Sequence, residues 1–362
     1  MAIPLIGPQK YRLPRPAIWV SNEAQLRWAL ARYTSRNIIL RNGYYGGAEP
    51  YSNPGGDRLY AQALGKAVLG AGIIMGGNSG PGGGVLQGVA LDVTDNSKTL
   101  QDSIIHVWGS GKNTRIVDVT VEGHGVVGAG IMAREVEGLI VRRVVARHFQ
   151  SWGVIVDENK PDAQISHPPL VTDIDAAFVT RPVPKSSNGT AEACVWIGNT
   201  AIVRRVRAHD CAWDGLWAGT AAHHALFEDV RVTKSYVGVY VEHFAHSSTF
   251  RRLEIGPSVD NGLICEWADP AWGSLPACVG NVIEQSTFDT SFFGVYLDEG
   301  TTSTTVRDST FLNQCWTAIG DYKGSNNLFD TRGNVYGGIG AGAVPVTTDH
   351  YSRSSCAPWT RG

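Results

Sequence analysis

The residues of this chain best placed to do chemistry are acids that close a short, recurring phrase. It reads Gly153-Val-Ile-Val-Asp157, Gly215-Leu-Trp-Ala-Gly219, Gly238-Val-Tyr-Val-Glu242, Gly262-Leu-Ile-Cys-Glu266 and Gly294-Val-Tyr-Leu-Asp298, with weaker copies beginning at Gly130, Cys194 and Thr317. The steps Gly130 to Gly153 and Gly215 to Gly238 are each 23 residues, and Gly238 to Gly262 is 24. Self-similarity at this period marks a solenoid whose coils stack equivalent residues upon one another. Alternate residues of a strand face opposite ways and neighbouring strands lie about 4.8 Å apart, so each position in the phrase becomes a column. Val239 and Val241 point inward, while Tyr240 and Glu242 point out. The first outward column reads Met132, Ile155, Trp196, Trp217, Tyr240, Ile264, Tyr296, Ile319, and the second Arg134, Asp157, Gly198, Gly219, Glu242, Glu266, Asp298, Asp321.

The second column is acidic on its later coils, and like charges side by side in a sheet repel. Three outcomes offset that cost: one carboxyl keeps a proton and becomes a general acid, a divalent cation such as Ca²⁺ binds, or water screens an exposed ridge. Carboxylates on neighbouring coils stand about 5 Å apart, near the separation of retaining glycosidases. Skipping a coil gives about 9–10 Å, at or just beyond the upper end of the inverting range. Glu242 and Glu266 can therefore act as nucleophile and acid, or Glu242 and Asp298 can act with a water between them, with Asp157 at the margin. In the first column Trp196, Trp217, Tyr240 and Tyr296 offer apolar ring faces for sugars, and Gly198 and Gly219 beside them leave a floor without side chains. The plainer alternative is that these rings pack beneath the segment between Asp157 and Cys194. Histidines gather nearby. His243 follows Glu242, and His223 and His246 each lie eight residues past their glycine. With His224 alongside, they can bind a metal, serve as acid and base, or simply sit exposed in turns.

The elements that position these side chains are short strands. No helical stretch is long enough for a crossover, and each unit carries a second apolar patch such as Leu226-Phe-Glu-Asp-Val-Arg-Val232. Near the start, Ser21 is the expected N-cap of a helix over 22–33, with Leu26, Ala29, Leu30 and Tyr33 at helical spacing. Asn37-Ile-Ile-Leu-Arg41 then reads as a strand ended by Asn42-Gly43. Such a helix would cover the open end of a stack of strands. Residues 44–100, rich in Gly, Asn and Pro, read as irregular early coils. One interruption lies between Asp157 and Cys194 and another around Trp267-Ala-Asp-Pro-Ala-Trp272, and insertions in repeat folds often border the binding face. Residues 1–36 are read as leader and cap, 37–338 as coils and 339–362 as a C-terminal wrap, all in one domain.

With 43% hydrophobic and 18% charged residues among 362, the chain is expected to be folded and soluble. A formal charge of −2 argues against a general nucleic-acid binder. No apolar run is long enough to span a membrane, and no signal peptide is visible, although secretion stays open. The six cysteines lack CxxC spacing, which disfavours zinc or thioredoxin-like chemistry. Cys265 and Cys278 flank an apparent loop and can form a disulfide in an exported protein; small buried hydrophobes are the alternative.

The helix followed by Asn37 to Leu40, and the units from Gly130, Gly153, Gly215, Gly238, Gly262 and Gly294, together resemble the right-handed parallel β-helix superfamily of pectin-lyase-like proteins. The resemblance spans about Ser21 to Gly338. It implies an all-β solenoid with an N-terminal capping helix and a carbohydrate-active enzyme: a hydrolase, a fructotransferase, an epimerase or a lyase. Adhesins and tailspikes share this architecture, so fold alone does not choose. Subfamily motifs are largely lacking. Gly123-His124-Gly125 matches a polygalacturonase tripeptide but precedes the acidic coils. Pectate lyases use an arginine base beside Ca²⁺, and the second column offers only Arg134, remote from the acids. The leading expectation is cleavage or rearrangement of glycosidic bonds in an oligo- or polysaccharide, with Glu242, Glu266, Asp298 and His243 in catalysis. Trp196, Trp217, Tyr240, Tyr296, Asp157 and Trp267 would contact substrate. No cofactor is expected, apart from Ca²⁺ if the protein is a lyase; a non-catalytic glycan-binding or structural β-helix is the third reading. The protein can be a monomer or a trimer.

Overall fold

The computed structural model describes residues 13–14, 16–31, 36–53, 56–77, 83–109, 113–157, 167–179, 193–198, 200–219, 222–242, 245–258, 260–265, 278–289, 291–322, 326–329, 333–337 and 346–347. The chain forms two compact units, one of residues 1–150 with 166–175 and the other of 151–165 with 176–362. Both are built from short parallel strands that recur once per coil. Among the described residues, no helix is long and apolar enough to cross a membrane.

In the first unit the helix is Glu23–Leu30, buried through Leu26, Ala29 and Leu30. Its N-cap is Asn22, whose Oδ1 accepts from Gln25 N at 2.9 Å, one residue later than the expected Ser21. Ser21 instead donates from its backbone N and its Oγ to Gln25 Oε1. The early coils are regular, against expectation. Asn37–Leu40 pairs in parallel with Arg58–Ala61, which pairs with Val85–Gln87, which pairs with Arg115–Glu122. Tyr51–Asn53, Ile73–Gly77, Ser103–Gly109 and Ala129–Arg134 build a second sheet in register. Strands this short show too few alternations to stand out in a sequence rich in glycine.

In the second unit one sheet is made of the phrase strands Trp152–Asp157, Ala193–Ile197, Asp214–Ala218, Val237–Val241, Asn261–Cys265, Phe293–Leu297 and Thr317–Asp321. Their inward residues Val154, Val195, Leu216, Val239, Leu263 and Val295 are fully buried. The other sheet bends once per coil at a residue in the left-handed region: Arg205, Asp229, Arg252, Gln285 and Asp308, with φ between 51 and 56°. Inside, Phe227 stacks on Phe250 at 4.8 Å and Phe288 on Phe311 at 5.3 Å. At a turn, Asn281 accepts from Ser248 N and donates to Ala245 O, both at 2.9 Å, which supplies partners for buried backbone groups.

Outside the bend, Arg204, Glu228, Arg251, Glu284 and Arg307 stand opposite one another on five successive coils. Their charges alternate. Arg251 Nε donates to Glu228 Oε1 at 2.6 Å and Arg307 Nε to Glu284 Oε2 at 2.9 Å. Arg204 Nε lies 2.7 Å from Glu228 Oε2 as an ion pair without hydrogen-bond alignment. The bend residue Arg252 also binds Glu228, and its Nε donates to Asp229 Oδ1 at 2.7 Å. Burial pushes the Glu228 carboxyl up, but hydrogen bonds from Arg252 and Arg251 outweigh it and hold the pKa below its ordinary value. The Arg252 hydrogen bond likewise lowers Asp229.

Two further expectations change. Cys265 and Cys278 are buried free thiols, whereas Cys194 and Cys211 form a disulfide across 17 residues, and Cys315 is also disulfide-bonded. The pairing follows geometry: Ala193–Ile197 and Ile202–Cys211 are consecutive strands, bringing the two Cα atoms to 5.8 Å. Part of the expected insertion after Asp157 is a ten-residue strand, Leu170–Val179. Asp173 and Phe178, both in the left-handed region, interrupt its alternation and hide it from a periodicity reading. Of the tail, Val346–Thr347 pairs in parallel with Ile319 and Gly320.

Candidate functional site

The second unit holds the candidate site, and the register of its phrase strands fixes the columns. Ile155, Trp196, Trp217, Tyr240, Ile264 and Tyr296 are successive partners, as the sequence requires. The last coil is displaced by one residue. Val295 pairs with Ile319, Tyr296 with Gly320 and Leu297 with Asp321. Ile319 is therefore an inward core residue, fully buried, and Asp321 leaves the acidic column. The copy begins at Ala318 rather than Thr317, because apolar Ile319 belongs under the sheet. Burial raises the Asp321 pKa, partly opposed by a hydrogen bond from Asn327 Nδ2 to its Oδ1 at 2.9 Å.

The aromatic row forms, but its rings largely face one another. Trp196 and Trp217 stack at 5.1 Å and 23°, and Trp217 meets Tyr240 edge-on at 5.3 Å and 87°. Trp152, which the column reading missed because it precedes its glycine, extends the row to Trp196 at 6.2 Å. Trp217 is only 7% exposed and Tyr296 5%, so these two are not the open platforms that outward alternation predicts. Tyr296 packs with Phe292 and Phe293, against Ile264, Trp316 and Tyr322. Trp196 and Tyr240 are half-buried. The glycine floor is filled as well. A Cβ on Gly198 would stand 2.3 Å from Asp157 Oδ1, and one on Gly219 would stand 2.4 Å from Trp196 Nε1. Both glycines make room for a neighbouring side chain, and Asp157 is correspondingly buried.

A second row also escaped the sequence reading. Two residues before each glycine, Trp213, Tyr236, Asp260 and Phe292 follow one another coil by coil through backbone hydrogen bonds, and Trp316 continues from Phe292. Trp213 and Tyr236 stack at 4.5 Å and 18°. The signal was available in the spacing from glycine.

Glu242 joins the aromatic row to the acids. Its Oε2 accepts a hydrogen bond from Trp217 Nε1 at 3.2 Å, and its backbone N donates to Ala218 O at 2.9 Å. Asp298 starts a tight turn: its Oδ1 accepts from Glu299 N at 2.7 Å and its backbone O from Thr301 N at 3.1 Å. The partners Tyr240, Ile264 and Tyr296 place Glu242 and Asp298 two coils apart, about 9–10 Å along the stack. Glu266, His243 and Trp267 lie outside the described residues. His223 and His246 stack face to face at 4.0 Å, with His224 edge-on to His246 at 5.4 Å. Burial, then the charge of His224, lowers the His246 pKa. Among the described residues no group of three or more His, Cys, Asp or Glu is arranged to hold a metal ion.

The coil-by-coil parallel register decides the architecture. This is a right-handed parallel β-helix. Solved structures of that fold match most of the chain. The A-module of the mannuronan C-5 epimerase AlgE4 from Azotobacter vinelandii aligns with a TM-score of 0.64 at 14% identity, over 91% of this chain and 100% of that one. The catalytic unit of a GH87 α-1,3-glucanase from Streptomyces thermodiastaticus aligns at 0.53 and 11%, over 95% and 71%. The Dettilon tailspike protein aligns at 0.58 and 12%, over 90% of this chain, which spans only 61% of the tailspike. No protein-family model matches the sequence, and no curated protein matches it.

Proposed function

We propose that this protein is a carbohydrate-active enzyme that cleaves or rearranges glycosidic bonds of an extended glycan by carboxylate chemistry. The observation that carries this reading is the Trp217 indole N–H donating to Glu242, which fixes a carboxylate where an aromatic row meets further acids. Glu242 and Asp298 form the working pair. Their two-coil separation leaves space for a water, as an inverting hydrolysis needs. Glu266 and His243, adjacent in the phrase, are further candidates for acid and base. Half-buried Trp196 and Tyr240 contact sugar, while Trp217, between them in the row, holds both rings in place. The epimerase and the glucanase that share the fold favour a glycan as substrate. The Cys194–Cys211 disulfide favours an oxidising compartment, where such polymers are met.

The test is product analysis on a glycan panel with wild type, Glu242→Gln, Asp298→Asn and Glu266→Gln. At least one variant should lose turnover while still binding. Loss of activity in EDTA with rescue by Ca²⁺, together with absorbance from an unsaturated product, would replace hydrolysis with a lyase reaction. The burial of Trp217 and Tyr296 favours a second reading, a non-catalytic structural β-helix whose rings pack its own coils. That reading requires all three amide variants to behave like wild type.

A further inference from the structure

The turns that follow the phrase strands hold three histidines that the proposed chemistry leaves without a role. Four coils repeat one turn: His224, Ser247, Gly280 and Ser303 all lie in the left-handed region, with φ between 51 and 63°. The residues just before them are His223, His246, Val279 and Thr302. Bridges join His246 to Val279 and Val279 to Thr302 on successive coils. The turn thus demands a left-handed residue at its second position, while valine or threonine serves at the first. Histidine twice in succession is not a requirement of the fold.

The His223 and His246 rings stack at 4.0 Å and 19°, with His224 edge-on to His246. His223 and His246 are half-buried, and His224 is exposed. Among the described residues, the groups around His246 offer no counter-charge. The preceding coil brings His223 and His224, and the following coil brings Val279 beside the buried thiol of Cys278. On its own turn, Nδ1 meets the neutral Ser247 Oγ at 3.4 Å, and the Glu242 carboxylate is turned to Trp217 Nε1. Burial and then the charge of His224 lower the His246 pKa. At this separation a proton on one stacked ring opposes a proton on the other. An opened turn, with its rings apart in water, takes up both, so acid favours opening.

The same turn carries the candidate acid. It starts at Glu242, whose backbone O accepts from Ala245 N at 3.2 Å, as Gly219 O accepts from Ala222 N at 2.9 Å one coil earlier. Ser248, two residues past His246, ties the two coils together: its Oγ donates to Ala222 O at 2.5 Å and accepts from Ala225 N at 3.1 Å.

We propose that His223, His224 and His246 form an acid-sensitive latch that keeps the turn from Glu242 to Ser248 closed at neutral pH and releases it below the imidazole range. Only its effect on turnover rests on the glycan reading. Because the folded His246 pKa is lowered, the stability of the neutral stack is complete above about pH 6.5 and is lost as pH falls from there towards the lowered value.

The experiment is a pH series of thermal melts on the full chain, comparing wild type with His246→Phe and His223→Phe, whose phenyl rings still stack but take no proton. From about pH 7.5 to about pH 5.5, wild type should lose about 2–4 °C more than either variant. Parallel curves would overturn the latch. Hydrogen exchange on wild type, corrected for its intrinsic pH dependence, decides even where the variants do not fold. The amides from Glu242 to Ser248 should lose protection at the lower pH while those of Val237–Val241 keep theirs, and unchanged protection in the turn sinks the proposal. With a glycan substrate in hand, the acid limb of kcat/KM should move to lower pH in His246→Phe. If melts and exchange behave as expected but no glycan is turned over, the latch stands and the glycan reading falls.

Discussion

Two columns of the second unit solve the problem of stacked charge in opposite ways. On the bent sheet, Arg204, Glu228, Arg251, Glu284 and Arg307 alternate in sign, and each acid finds an arginine on a neighbouring coil. In the sequence of the phrases, the closing residues repeat one sign through Glu242, Glu266 and Asp298. Alternation is what a solenoid needs to hold its coils together. Repetition of one sign works against it. The difference separates charges whose partners are built into the fold from the acids to which the proposed function assigns chemistry.

Breaking the second column should give the largest effect. Glu242→Gln is expected to lower turnover by about 10²–10⁴-fold and to leave the melting temperature unchanged or slightly raised, since one like charge is removed. Activity assays and thermal melts on the same preparation check both halves, and a large loss of stability with full activity would erase the distinction. The converse change comes next. Glu228 has only 8% of its side chain exposed and meets three arginines that are 34–44% exposed. Glu228→Ala should cost about 2 kcal/mol, less than a fully buried pair because solvent screens the arginines, with turnover at wild-type level; denaturant melts measure it.

Acid sharpens the same contrast. Glu228 and Asp229 have pKa values held below their unfolded ones. The stability they add is therefore complete above the ordinary carboxylate range and is lost as pH falls through the lowered folded values. Below about pH 4 wild type should lose melting temperature more steeply than Glu228→Gln, and parallel curves would show that the ladder carries no such linkage. The smallest effect is expected at the junction. Trp217→Phe keeps the ring but removes the donor to Glu242. A hydrogen bond to a carboxylate of about 1.5 kcal/mol corresponds to a roughly tenfold loss in kcat/KM, and the ring volume lost at a residue 7% exposed should cost about 1 kcal/mol of stability.

The sequence displayed the period, and the period carried the fold, because every coil must bury the same inward residues. Columns from Ile155 to Tyr296 followed directly. The last coil misled because Thr317-Ala-Ile-Gly-Asp321 mimics the phrase in length and ends on an acid, while packing is decided by Ile319, which pairs with Val295 in the core. Exposure was less legible than direction. Alternation says that Trp217 and Tyr296 leave the sheet, but it is blind to neighbours such as Phe292, Trp196 and Tyr240 that then cover them. The charge ladder was equally hidden, since its members come from second strands whose bend at residues such as Asp229 and Arg252 interrupts any simple alternation.

Alternating sign gives the second unit a parity. Removing the coil that carries Glu228 would bring Arg204 against Arg251, whereas removing the coils of Glu228 and Arg251 together would bring Arg204 against Glu284 and keep opposite charges in contact. Such a solenoid can be shortened or lengthened more readily by two turns than by one, so its natural unit of growth is a pair of coils although its sequence repeats singly.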